Sequence, residues 1–466
     1  MGEGTSAGVS KKATLVIAVI THFLLASMLS MVVVALPAIG KDLAMEAALL
    51  GWVSNAVNLA QAAILLPAGR LADIYGRKKL FLYGMVIFTV SSFLCAISSS
   101  AILLILYRAL QGIGAGMAIG TGVAIVTSVF SVEDRGRALG TVMGAVYVGM
   151  SVGPFLGGAM TEHIGWRSIF FLGTFLCLVV VALTLWKLRG EWADARGEKF
   201  DVSGSIVLGI SLVVMIYGLT VLPATLGFIL IVAGILGLLG FVRLAARTES
   251  PILNLNLFRK NTVFVFSNVV VAINYCATFA VTFLLSLYLQ YTKGLSPQTA
   301  GLILIAQPVV MAIFAPIAGR LSDRVNPQVI ASVGMAFNCV ALVLFIFLNE
   351  VTALGFVIAG LATFGFGVGL FSSANTNAVM SSVEAKFLGV ASGTHGTMRS
   401  CGMAFGMAVV TILFSIYIGK AQITPENYPA FLTSLKTSFV ICAALSFCGI
   451  FAQLIGRRPR RSGLIA

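Results

Sequence analysis

The chain has 466 residues, of which 59% are hydrophobic and only 10% charged, against about 25% charged in an ordinary soluble domain. A mean hydropathy of +1.03 leaves too few polar side chains to coat a water-exposed surface, which excludes a soluble globular protein and selects a membrane protein. The net charge of +14 does not indicate nucleic acid, because the charges stand singly between long apolar runs rather than on one face.

The first apolar run, 13–39, exceeds the roughly 7–15 residue core of a cleaved signal peptide. It reads as a retained first span behind Lys11 and Lys12. At about 20 apolar residues per crossing, spans follow at 13–36, 49–68, 80–98, 101–123, 138–160, 168–187, 202–222, 225–245, 263–290, 298–318, 328–348, 353–378, 389–418 and 433–455. That is fourteen, although 202–245 also accommodates one long re-entrant element. Placing the N-terminus in the cytoplasm puts five basic residues outside (Lys41, Arg167, Lys293, Lys420, Lys436) and two in spans (Arg108, Arg399). The other 23 of 30 lie inside, so both termini are expected to be cytoplasmic. The tail Arg457-Arg458-Pro459-Arg460-Arg461 then reads as an anchor to anionic lipid headgroups. The seven cysteines lie inside apolar runs with no CxxC spacing and read as packing residues. Nothing in the sequence calls for a cofactor or a metal.

The chain repeats itself. Gly69-Arg70-Leu71-Ala72-Asp73 recurs as Gly319-Arg320-Leu321-Ser322-Asp323, followed by Arg324, at an offset of 250. Gly140, Gly144, Gly153 and Gly157 recur at an offset of 249 as Gly389, Gly393, Gly402 and Gly406. Both copies of each element fall on one side of the membrane, the pattern of two parallel six-helix halves. The division expected is 1–187 for the first bundle, 188–262 for a linker and an inserted pair of helices, and 263–466 for the second bundle and tail.

Four features carry chemistry. On span two, Asn55, Asn58 and Gln61 recur every three residues and form one polar stripe. The loop after it runs Gly69-Arg70-Leu71-Ala72-Asp73-Ile74-Tyr75-Gly76-Arg77-Lys78-Lys79. Gly69 and Gly76 permit close approach and a tight turn, and Asp73 can pair with a basic neighbour or cap a helix, making a conformational latch. On span four, Arg108 and Gln111 share a helix face in Leu106-Tyr107-Arg108-Ala109-Leu110-Gln111-Gly112-Ile113-Gly114. An arginine at bilayer depth costs about 2.5–3.5 kcal/mol, so it must face a cavity or a partner unless it snorkels from the helix end. Span five spaces Gly140, Gly149, Gly153-Pro154 and Gly157-Gly158 so that backbones can touch, with Pro154 bending the helix.

These residues resemble the Major Facilitator Superfamily over nearly the whole chain, and within it the fourteen-helix drug:proton antiporter branch. The loop at 69–79 is similar to GxLaDrxGrkxxl, span four to RxxQGxGaa, and span five to gx8Gx3GPx2GG, which the family associates with exporters. Glu133-Asp134-Arg135-Gly136-Arg137, Trp166-Arg167, Glu249-Ser250-Pro251 and Leu257-Phe258 resemble the same branch. The resemblance implies an all-α membrane protein with two six-helix bundles and two inserted helices. It also implies secondary active export of small amphipathic molecules by alternating access, with protons as the family's coupling ion. A monomer in contact with membrane lipids is expected.

One departure matters. Relatives of this type place an aspartate in span one ahead of the VALP stretch; here Ser27-Met28-Leu29-Ser30 precedes Val34-Ala35-Leu36-Pro37. All sixteen acids fall in loops or tails, so the usual carrier for a proton or counter-charge for a cationic drug is missing. Arg108, Arg399, His22 and His395 remain inside, favouring neutral, amphipathic or anionic substrates and opening a second reading, a carrier for an organic anion or lipid-like metabolite. His395 and Arg399 share a face of span thirteen, and imidazole can relay a proton near neutral pH. Asn274, Tyr275, Gln307, Asn375 and Asn377 add polar points to the second half, as cavity lining or as interhelical bonds. A membrane-embedded enzyme or receptor is a remote alternative, because the longest hydrophilic stretch, Arg189 to Asp201, is too short for a soluble module. No GxxxxGK[ST] motif is present for nucleotide-driven transport.

Overall fold

The structure, a computed structural model, describes residues 10–193, 195–248, 251–253, 258, 261–384, 388–419 and 421–455. The basic tail therefore lies outside the described residues, as do Glu249, Ser250 and Leu257 and the side chains of Glu133 and Asp323, and the surroundings of Gly136 and Gly389 are likewise outside.

Water-free surroundings require every backbone N–H and C=O to be bonded within its own segment, and helices of this length meet that demand. Among the described residues, fourteen are long and apolar enough to cross a membrane. They are α1 (Lys11–Asp42), α2 (Ala47–Tyr75), α3 (Arg77–Ala96), α4 (Ala101–Val129), α5 (Val132–His163), α6 (Arg167–Lys187), α7 (Val202–Val221) and α8 (Thr225–Ala245). After the linker come α9 (Thr262–Leu287), α10 (Pro297–Leu304, resuming as Ala306–Arg324), α11 (Pro327–Ile346), α12 (Leu354–Ser381), α13 (Leu388–Tyr417) and α14 (Tyr428–Ile455). The stretch 202–245 is thus two crossings and not one re-entrant element.

Polar residues set the boundaries. Ser100 accepts from the Leu103 N–H, Asp201 from Gly204, Asn261 from Phe264 and Ser296 from Thr299, each capping a helix start. Pro297 and Pro327 occupy first-turn positions, where a missing N–H costs nothing. Several helices outrun the apolar stretch that predicts them: α1 ends at Asp42 and α5 starts at Val132, because a helix once formed propagates into polar sequence. The break in α10, expected as one span, falls at Ile305. Pro308 there cannot donate to the Leu304 carbonyl, and its ring crowds that group.

The helices pack in two matched sets. In the first, α1 lies on α5, α4 and α6, α2 on α4, and α3 on α4 and α6. In the second, α9 lies on α13, α12 and α14, α10 on α12, and α11 on α12 and α14. Each pairing of the first set recurs eight helices later, as the repeated motifs require. The two bundles meet along α2 with α13 and along α5 with α10. The extra pair, α7 and α8, packs mainly on itself, and α7 lies against both α2 and α13, so it covers one of these two seams.

Candidate functional site: the seam between the bundles

Two faces are distinguished here, the N-side face, where α1 begins, and the far face. On the far face the bundles are pressed together. Ser286 Oγ donates to the Val33 carbonyl at 3.0 Å and Gln290 Nε2 to that of Val34 at 2.9 Å, joining α9 to α1. A Cβ at Gly158 would lie 2.3 Å from the Pro297 carbonyl oxygen, and one at Gly301 2.1 Å from that of Pro154. The Gln298 N–H donates to Glu162 at 3.1 Å. On the N-side half of the same α5, Gly140 and Gly144 have nothing within 4 Å of a built Cβ. The α5–α10 seam is therefore closed on the far face and parted on the N-side, whereas the α2–α13 seam is tight along its length. There Gly51 meets Thr411, Gln61 Nε2 donates to Ser400 Oγ at 3.0 Å, and Leu65 and Leu66 fill the space beside Gly396 and Gly393.

Midway along these helices a polar cluster spans both bundles. Tyr147 on α5 places its hydroxyl 3.4 Å from Ser372 Oγ on α12. On the second bundle the Arg399 guanidinium lies over the Tyr275 ring, 5.1 Å from its centre, within cation–π range. His395, one turn before Arg399, has Nε2 3.4 Å from Thr376 Oγ1, and its Nδ1 is buried without a partner among the described residues. Arg399 makes no ion pair or hydrogen bond there, yet it stands within electrostatic reach of Tyr147, His395 and His22. His22 itself bonds the Ala18 carbonyl through Nδ1 at 2.8 Å and packs against Gly122 of α4.

Other predicted polar residues stay out of this cluster. Arg108 is 2% exposed and turned into the first bundle, so of the expected alternatives it faces partners rather than a cavity or the helix end. Its Nε donates to the Val53 carbonyl at 3.0 Å, Nη1 bonds Gln111, and the guanidinium lies over the Phe170 ring. Gln111 passes the chain on to Ser92 Oγ at 2.7 Å. α2, α3, α4 and α6 are thus tied at one buried charge. In the second bundle Asn274 donates to Met335 Sδ at 3.4 Å, and Asn375 is held between the Ser267 carbonyl and Gln453. Gln307 accepts from Thr282 at 3.3 Å, and Asn377 donates to Ser322 Oγ at 2.8 Å on the N-side. These four groups work as interhelical bonds. Asn55 and Asn58 do not: both are buried, and both Asn55 polar atoms and the Asn58 Nδ2 lack a partner among the described residues. The α2 stripe is split, with only Gln61 crossing to the other bundle.

The antiporter-type helix is likewise divided by task. Gly149, Gly153 and Gly157 seat α5 on α1, where Cβ atoms would strike Phe23, Ser27, Ser30 and Met31; Pro154 and Gly158 meet α10. Their repeat counterparts behave alike, Gly402 and Gly406 lying on Ala272 and Cys276 of α9. In the N-side loop, Asp73 accepts twice from Arg77, at 3.0 Å and 2.8 Å, and Arg77 also reaches Ser128. Sequence reading missed that the α6–α7 linker is the loop's other partner. The Arg77 N–H donates to the Trp192 carbonyl and the Ala195 N–H to that of Asp73, both at 2.9 Å. Glu191 caps the start of α3 through the Lys78 N–H at 2.8 Å, and Arg70 pairs with Glu198 at 2.5 Å. Gly76, at φ +120°, is needed twice, for its backbone and because Glu191 occupies the space a Cβ would take. Tyr147, Ser372 and Thr376 also went unpredicted. A tyrosine amid the glycines of α5 is the one signal that could have shown the first.

Fourteen crossings, a twofold bundle repeat and a polar cluster on the seam define a membrane transporter rather than an enzyme. The Major Facilitator Superfamily description matches residues 18–407 and again 267–465. The chain belongs to that superfamily. It is 30% identical to the riboflavin transporter RibZ of Clostridioides difficile over 91% of this chain and 93% of that one. It is 29% identical to the multidrug resistance protein Stp of Mycobacterium tuberculosis over 84% of this chain and 74% of that one. A crystal structure of the peptide transporter POT in complex with sulfate has the same fold, at a TM-score of 0.70 and 15% identity, covering 95% and 96% of the two chains.

Proposed function

We propose that this transporter exports small amphipathic molecules from the cytoplasm by alternating access. The observation that carries the reading is the mid-depth cluster of Tyr147, Tyr275, His395 and Arg399, drawn from both bundles. It lies on a seam that is closed on the far face and parted on the N-side, so the substrate path crosses it. A likeness to a multidrug resistance protein supports export, and a likeness to a riboflavin transporter supports an organic metabolite as cargo. The basic residues gathered on the N-side loops support a cytoplasmic N-side in a cell membrane, so the closed far face corresponds to an inward-facing state. Gln61 holds the closed α2–α13 seam beside this path through Ser400, and His22 stands behind the cluster on α1. The bundles are taken as 1–187 and 263–466, with 188–262 supplying the linker and the covering pair α7–α8, and one chain forms the transport unit. Protons are the coupling ion proposed, carried by a histidine, a loop acid or the substrate, since every acid among the described residues sits in a loop or a terminal turn of its helix. Proteoliposomes test the reading. Riboflavin and riboflavin 5′-phosphate flux should respond to an imposed pH gradient, and the absence of flux for both dyes would count against export.

A further inference from the structure

We infer that Arg399 is the anion-binding end of the substrate path, so that the transporter favours amphipathic molecules carrying an acidic group beside an aromatic body. The inference deepens the exporter reading and rests on it. Two arginines lie inside the bilayer, and they are treated differently. Arg108 is 2% exposed, bonds Val53 and Gln111 and lies over the Phe170 ring, with Nη2 left without a hydrogen-bond partner among the described residues and no open space beside it for a ligand. Arg399 has only the face of Tyr275 beneath it and no acid near it among the described residues. A part-exposed guanidinium at mid-span depth, with five donors and no acid beside it among the described residues, is costly in a membrane, and it is retained where an incoming group supplies the missing charge. The surroundings agree in sign. Tyr147, Ser372 and Thr376 offer hydroxyls, His395 an unpartnered Nδ1, and the facing elements α1, α5, α9 and α12 bring no carboxylate to this depth. Two tyrosine rings on opposite bundles flank the charge and supply apolar faces for a ring. A cationic molecule here would set like charges together in low dielectric, whereas a carboxylate or phosphate would match the planar guanidinium fork.

The test uses the full chain, purified in lipid nanodiscs, with three fluorescent probes: riboflavin 5′-phosphate, riboflavin and rhodamine 123. A charge-assisted hydrogen bond to Arg399 predicts binding of the phosphate ester about tenfold tighter than riboflavin, with rhodamine 123 weakest. Arg399→Gln should bring the two flavins to within about twofold of each other, while Arg399→Lys keeps most of the preference because it keeps the charge. Absence of any anion preference in the wild-type chain, whether from equal affinities or from no binding at all, would overturn the inference. So would a preference that survives Arg399→Gln in protein with an unchanged thermal midpoint, or one lost fully in Arg399→Lys. Export is read separately: vesicles that bind the anion selectively but move no dye would remove the exporter reading and leave this site standing.

Discussion

Arg108 and Arg399 show how the same residue type is put to opposite uses. Arg108 is a fastening inside one bundle, so its removal should act through folding. Arg108→Ala removes the side-chain bond to the Val53 carbonyl and leaves Gln111 Oε1 without its partner in the interior, at about 1–3 kcal/mol for the abandoned oxygen. A lowered thermal midpoint and lost transport are expected, and thermal unfolding in detergent checks the first. A stable but inactive Arg108→Ala would instead assign it a direct role in transport. Asp73 belongs at this scale too. Asp73→Asn removes the charge from the part-buried pair with Arg77 at the α2–α3 junction but keeps the side chain's size and one oxygen to accept from the guanidinium. Initial transport rates should fall severalfold at normal expression, and unchanged rates would argue against the latch. The Asp73–Arg77 pair and the shared face of Arg108 and Gln111 were legible from residue types and spacing. The bonds to Val53, Ser92 and Ala195 were not, because they join residues far apart in sequence.

For the helices themselves, the spacing of apolar runs was sufficient to find all fourteen, since a bilayer demands length and apolarity and little else. It could not place the break at Ile305, which depends on one proline at Pro308, nor tell which glycines of α5 touch what. The built Cβ contacts separate them. Gly140→Ala should be neutral, because nothing lies within 4 Å. Gly153→Ala drives a methyl group to 2.0 Å from Ser30 Oγ and 2.8 Å from the Ser27 carbonyl oxygen, an overpacking that costs about 1–3 kcal/mol. Parallel expression and thermal-midpoint measurements on the two variants check this. Equal behaviour would mean that α5 does not pack on α1 as described. The linker 188–201 makes a similar point. Its charges read as a solvated connector, yet Glu191 and Glu198 grip the α2–α3 loop, a pairing no local pattern reveals.

For the whole molecule, the α7–α8 pair covers the α2–α13 seam while the α5–α10 seam stands apart on the N-side. Access to Arg399 from the N-side therefore runs along α5 and α10, and motion should concentrate there. The repeat at offsets of 249 and 250 made the two-bundle plan readable in the sequence, but not which seam is free, because that depends on where an inserted pair docks. The most direct measurement places paired spin labels across this seam in the full chain. One pair, at Ile164 and Lys293, reports the far face; the other, at Gly140 and Leu321, reports the N-side. Alternating access predicts opposite shifts on adding a transported dye, the far-face pair lengthening as the N-side pair shortens. Two distance distributions that stay fixed, or that move in the same direction, would contradict it.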